Sequence, residues 1–120
     1  MDYTQEKYDG YVIESVNLPR ATLKEAIEFK QVLLHDIAIG DTRIIVDLSM
    51  CEFIDSTFLG ALVVSLKKAV ESGGDVRLIG FQSAVESMFH LTRLDRVFQT
   101  FKTKSDAINS YRSELLQKYS

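Results

Sequence analysis

The sequence has 120 residues, of which 46% are hydrophobic and 26% charged, with a formal net charge of −3. That length suits one domain with one real core, and that balance excludes a chain made mostly of disorder. The cations are scattered, Lys67-Lys68 being the nearest thing to a cluster, so a nucleic-acid surface, which needs a concentrated basic face, is not expected.

The start, Met1-Asp2-Tyr3-Thr4-Gln5-Glu6-Lys7, has neither the basic n-region nor the apolar h-region of a secretory leader. The longest apolar stretch, around Phe58 to Leu66, is about half the length of a membrane span. A cytoplasmic protein without a membrane partner is the expectation. Cys51 stands alone, which rules out an internal disulfide, fits a reducing compartment and predicts a small buried hydrophobe.

Two runs, Tyr3 to Tyr8 and Tyr11 to Val16, flank the tight-turn dipeptide Asp9-Gly10 and predict an opening β-hairpin. Tyr11, Ile13 and Ser15 fall on one face of the second run, Val12, Glu14 and Val16 on the other. Residues 17–21 read as a loop. Thr22 then caps a helix, and Glu25 three residues on completes a capping box. Leu23, Ala26, Ile27, Leu34 and Ile37 recur at helical spacing, with Glu25, Glu28 and Lys30 toward water. His35 reads as a surface residue. Gly40-Asp41 closes the helix.

Arg43-Ile44-Ile45-Val46 is a β-branched run that predicts a buried strand. Ala61 to Val70 reads as a helix, apolar nearly all round in its first two turns. Asp55-Ser56-Thr57 sits where that helix begins, with Ser56 as its expected cap. Ser72-Gly73-Gly74-Asp75 stops the helix, and Val76 to Ile79 is the next strand. Ser83 with Glu86 spells a second capping box, and Ala84, Met88 and Leu91 a short apolar stripe, closed by Phe89 and Leu94. His90 reads as a packing or surface residue, since no second ligand lies at metal-binding spacing. Residues 97–101 read as a last strand. A final helix starts at Thr103-Lys104-Ser105-Asp106 and buries Ala107, Ile108, Tyr111 and Leu115. Leu116 and Tyr119 are left over, to pack on the sheet or mark a contact surface.

The order β-β-α-β-α-β-α-β-α implies right-handed crossovers and parallel pairing, with one antiparallel pair at the start. The expected fold is a single α/β domain spanning 1–120, with a mixed, mostly parallel sheet, an N-terminal β-hairpin and about four helices.

No enzymatic or cofactor pattern is present. Ser56 lacks the Gly-x-Ser-x-Gly setting of a nucleophilic serine, and no phosphate-cradling glycine loop or zinc spacing occurs. A phosphorylated-aspartate receiver has similar length and alternation and needs paired acids after its first strand. Here that position reads Val16-Asn17-Leu18-Pro19, and Lys102 lacks the partners such a domain requires. Ser56 and Thr57 remain as hydroxyls at a helix N-terminus, where free N–H groups and the dipole tolerate an added anion.

The run Ile44-Ile45-Val46-Asp47-Leu48-Ser49, followed by Phe53-Ile54-Asp55-Ser56-Thr57-Phe58-Leu59-Gly60-Ala61-Leu62, resembles the signature of STAS domains in the anti-sigma factor antagonist family. Residues 89–98 and then Asp106-Ala107-Ile108 resemble that family's closing strand and helix. The resemblance implies a partner-switching protein. Its unmodified form binds an anti-sigma factor that is also a serine kinase, and so frees a sigma factor. Phosphorylation ends that binding, and a serine phosphatase restores it. By position the phosphoacceptor is Ser56, with Thr57 a secondary candidate. The implied partner-binding surface takes in Asp55, Ser56, Thr57, Phe58 and Leu59, together with Asn17, Pro19 and Arg20 of the loop before the first helix. Self-association is compatible with it.

The chain departs from the family pattern at three places. Phe58 stands where Gly is frequent, a bulky aromatic that would either block a kinase or anchor one. Pro19 stands where Asp is frequent, and Arg93 replaces a frequent Gly in what reads as a turn variation. The alternative reading is a STAS scaffold without phosphorelay, a subunit of a stress-signalling complex or a transporter accessory.

Overall fold

The computed structural model describes residues 1–118; Tyr119 lies outside them. Gly10 takes a φ of +95°, open to glycine and costly for other residues, and turns the chain between β1 (Tyr3–Tyr8) and β2 (Tyr11–Val16). The two strands pair antiparallel from Tyr8 opposite Tyr11 to Tyr3 opposite Val16. Beyond β2 the chain was expected to loop to residue 21. Instead Arg20–Ala21 forms a short strand, β3, which pairs parallel with β5 (Phe53–Ile54).

β4 (Arg43–Asp47), β6 (Asp75–Ile79) and β7 (Thr100–Phe101) complete the main sheet, in the order β1-β2-β4-β6-β7. All its pairs after the hairpin are parallel. The helices are α1 (Leu23–Ala38), α2 (Ser56–Glu71), α3 (Ser83–Leu91) and α4 (Lys104–Lys118). Four helices on a mixed sheet is the architecture expected from the sequence.

Strand alternation gives the sheet two apolar faces. Val12, Val16, Ile44, Val46, Val76 and Leu78 meet α1, α2 and α3 on one face. Tyr11, Ile13, Ile45 and Ile79 meet Ala107 and Tyr111 of α4 on the other. The Tyr111 hydroxyl lies 2.8 Å from the carbonyl oxygens of both Ile44 and Asp75, tying α4 to two neighbouring strands. Arg77 is buried beneath α4 and donates to Asp75, Ser110 and Glu114. Its guanidinium carbon sits 4.0 Å from the Tyr111 ring centroid. Cys51 is fully buried, as expected of a small hydrophobe.

Several local expectations need correction. In α1 the buried stripe is Ala26, Phe29, Leu33, Asp36 and Ile37, whereas Leu23 and Ile27 are exposed. Phe29 carries more apolar surface, and it stacks between Tyr3 and Phe58 with centroid separations of 5.5 and 5.8 Å. The second capping box does not form: Gln82 is the cap of α3, and Ser83 is already helical. Extended backbone at Gln82 starts the helix one residue earlier; the buried stripe is Val85 and Phe89, with Phe89 stacked on Phe81, and Leu91 points outward. The last strand is shorter than residues 97–101, because a 3-10 turn at Leu94–Arg96 leaves Val97 in a helical conformation. Arg93 takes a left-handed φ of 60°, the conformation that explains a frequent glycine there.

Candidate functional site

β3 and β5 follow the carboxyl ends of the parallel strands β2 and β4, and their pairing sets the starts of α1 and α2 side by side. The Pro19 carbonyl accepts from Glu52 N at 2.7 Å and Phe53 N at 3.1 Å, and Asp55 N donates to the Ala21 carbonyl at 3.2 Å. Arg20 lays its guanidinium over the Phe53 ring, 4.4 Å from the centroid. Pro19 and Arg20, both exposed, are thereby brought to the segment that carries Ser56. Asn17 serves elsewhere: its side-chain amide donates to the Met1 carbonyl and to Thr4 Oγ1, closing the open end of the hairpin.

The cap of α2 is Asp55, not Ser56. Asp55 has extended backbone, and its Oδ1 accepts from Phe58 N at 3.0 Å and from Thr57 Oγ1 at 2.6 Å. A carboxylate satisfies the orphan donors of the first turn better than a hydroxyl and also faces the positive end of the dipole. Partial burial pulls the Asp55 carboxyl upward, but the hydrogen bonds from Thr57 and Phe58 outweigh it and hold the carboxyl below its ordinary range.

Ser56 is therefore the first helical residue. It is exposed, and among the described residues its hydroxyl has no hydrogen-bond partner. Thr57 is exposed too, yet its hydroxyl proton is committed to Asp55. Phe58 and Leu59 do not belong to any contact surface. Both are buried in the core, Phe58 fully, since the first turn of α2 points them inward. Phe58 neither blocks nor anchors a visitor at Ser56.

Sequence reasoning placed Leu23 and Ile27 in the core. The structure turns them outward at 60% and 53% exposure, on a helix that packs along α2, where Val64 is also exposed. The i, i+4 spacing of Leu23 and Ile27 puts the two on one stripe of α1. His90 is exposed, with Nδ1 3.1 Å from Asp95 Oδ2. Among the described residues no group of three or more His, Cys, Asp or Glu is placed to hold a metal ion, and no helix is long and apolar enough to cross a membrane.

The profile of the STAS domain matches residues 20–107, from β3 into α4. The chain belongs to the STAS domain family. Among STAS relatives, a Thermotoga maritima protein named as an anti-sigma factor antagonist is 38% identical over 73 residues. That match covers 61% of this chain and 65% of the relative, so just under two thirds of the relative is spanned. A crystal structure of an anti-sigma factor antagonist from Thermotoga maritima superposes with a TM-score of 0.82 at 28% identity, covering 92% of this chain and 94% of that one. A Bacillus cell fate determinant, solved in its phosphorylated form, shares the fold at a TM-score of 0.70 and 16% identity, covering 90% and 97%. The STAS core thus includes the β3–β5 bridge, the Asp55 cap and Ser56.

Proposed function

We propose that this STAS domain is an anti-sigma factor antagonist switched by phosphorylation of Ser56. Its unmodified form docks on an anti-sigma factor with serine-kinase activity and thereby frees a sigma factor. Transfer of a phosphoryl group from ATP to Ser56 Oγ, with loss of the hydroxyl proton and release of ADP, ends the complex. A serine phosphatase resets it by hydrolysis.

The observation that carries this reading is the state of the Ser56 hydroxyl: exposed, without a hydrogen-bond partner among the described residues, and fixed on the first residue of a helix whose cap is a different residue. A kinase reaches that oxygen without dismantling the fold. The new phosphate brings roughly 1.5 to 2 negative charges, and the neighbouring N-terminal amides and dipole tolerate them. A partner surface built against neutral Ser56 has no such compensation and meets Asp55 in addition. Losing about 4 kcal/mol there lowers affinity about a thousandfold. The exposed Leu23, Ile27 and Val64 alongside supply apolar area for a docked protein, and the names of the relatives favour an anti-sigma factor as that protein.

The experiment is capture of candidate anti-sigma factors by wild type, Ser56→Ala and Ser56→Asp, with phosphate mapped by mass spectrometry after incubation with ATP. Capture kept by Ser56→Ala and lost by Ser56→Asp, with phosphate on Ser56 alone, is expected. Equal capture by all three, or no phosphate on Ser56, overturns the reading.

A further inference from the structure

The N-terminal hairpin and α1 meet across two acids that water barely reaches. Glu14 of β2 and Asp36 of α1 are each 2% exposed. Gln5 of β1 donates to both from one amide nitrogen, 2.8 Å to Glu14 Oε2 and 3.1 Å to Asp36 Oδ1. That exhausts its two protons, and Asp36 Oδ2 stays buried without a donor. Two carboxylates here would be a desolvated like-charge pair, the arrangement that drives one member to bind a proton.

Among the described residues no Lys or Arg pairs with either acid, and the opposing charge that acts on Asp36 is that of an exposed His35. From β1, Lys7 is committed to Asp41 at 3.1 Å, and the Tyr3 hydroxyl donates to Glu28. From α1 come Glu28 and an exposed His35, and from the loop after it Asp41. β4 presents Val46 opposite Glu14, and α2 adds its apolar side chains and Ser65, whose hydroxyl donates to the Ala61 carbonyl. An open cavity of about 560 Å³, lined by Gln5, Glu14, Glu28, His35 and Asp36, lies alongside and gives a proton a way in.

We propose that Glu14 and Asp36 form a proton-binding site, sharing one proton that bonds the two carboxyls and makes the docking of α1 on the N-terminal hairpin proton-linked. The shared proton adds a hydrogen bond to a buried carboxyl that Gln5 satisfies at one oxygen only. Burial first, then the contact with Asp36, pushes the Glu14 carboxyl up to about 8, and burial raises Asp36 as well. An unfolded glutamate titrates near about 4.3. Between those values the folded chain holds a proton that the unfolded chain has released. Stability is therefore full below the unfolded value and is lost as pH rises through the window, with the folding constant dropping about tenfold per pH unit. Above it, two buried charges face each other, and α1 loosens from β1 and β2.

The test is a carbon-13 carboxyl titration of the full chain, with urea unfolding of wild type and Glu14→Gln across the same pH range. A carboxyl of the pair with its midpoint above about 7 is expected, together with a folding constant that falls about tenfold per pH unit in wild type and distinctly less steeply in Glu14→Gln. Midpoints below about 5.5 for both carboxyls, or equal slopes in the two proteins, overturn the proposal. The titration uses the wild-type chain and decides by itself should Glu14→Gln not fold.

Discussion

Asp55 and Ser56 divide between them two tasks that a single hydroxyl was expected to combine. Asp55 closes the first turn of α2, and Ser56 is left with nothing to hold. Replacing Asp55 by Ala should cost about 1 kcal/mol at neutral pH, and by Asn much less, read by urea unfolding. The sign with pH follows from the lowered Asp55 carboxyl. Its contribution is complete above the unfolded value near about 3.9 and disappears as pH falls through the folded one, so the gap between wild type and Asp55→Ala should narrow in acid. Arg93 offers the opposite case. It sits at φ 60°, where an L side chain pays about 1–2 kcal/mol and glycine does not. Glycine loses about 0.5–1 kcal/mol in chain entropy. Arg93→Gly should therefore raise stability by about 0.5–1 kcal/mol, visible as a higher melting temperature in calorimetry.

At the scale of elements, α1 shows what periodicity leaves undecided. Leu23-Ile27-Leu34 and Ala26-Phe29-Leu33-Ile37 are two apolar stripes on one helix, both at helical spacing. The period identifies a helix; it does not say which stripe faces the sheet. The choice goes to the stripe with the larger payload, because Phe29 fills the space between Tyr3 and Phe58. Phe29→Ala should lose about 3–5 kcal/mol, and Ile27→Ala no more than about 0.5 kcal/mol, in the same unfolding assay. Asp55-Ser56-Thr57 was legible because a strand, a cap and a helix follow one another along the chain. The Glu14–Asp36 pair was not, since it exists only once β2 and α1 pack together. Nor was the β3–β5 bridge, whose two-residue strands carry no readable alternation.

Over the whole molecule, the hairpin and the mostly parallel pairing of the later strands followed from turn chemistry and β-branched runs alternating with helices, because a sheet covered on both faces tolerates little else. The same double cover isolates Cys51. Its thiol is fully buried, with Sγ 3.9 Å from the carbonyl of Val16 at the end of β2. Burial, with a smaller push from the Asp47 charge, raises the thiol to about 11. Thiolate is the reactive species, so near pH 8 the folded chain presents both a closed path and about one part in a thousand of nucleophile. A disulfide reagent such as Ellman's should leave the native protein unlabelled over minutes and label one thiol per chain in strong denaturant. Under native conditions the slow labelling rate should track opening of the sheet–helix core. Phe29→Ala, which weakens that core, should speed it, whereas Ile27→Ala should not. Rapid labelling of the native wild type would mean that the core around Cys51 is open to solvent, contrary to the burial of Leu48, Cys51 and Leu62 in one cluster.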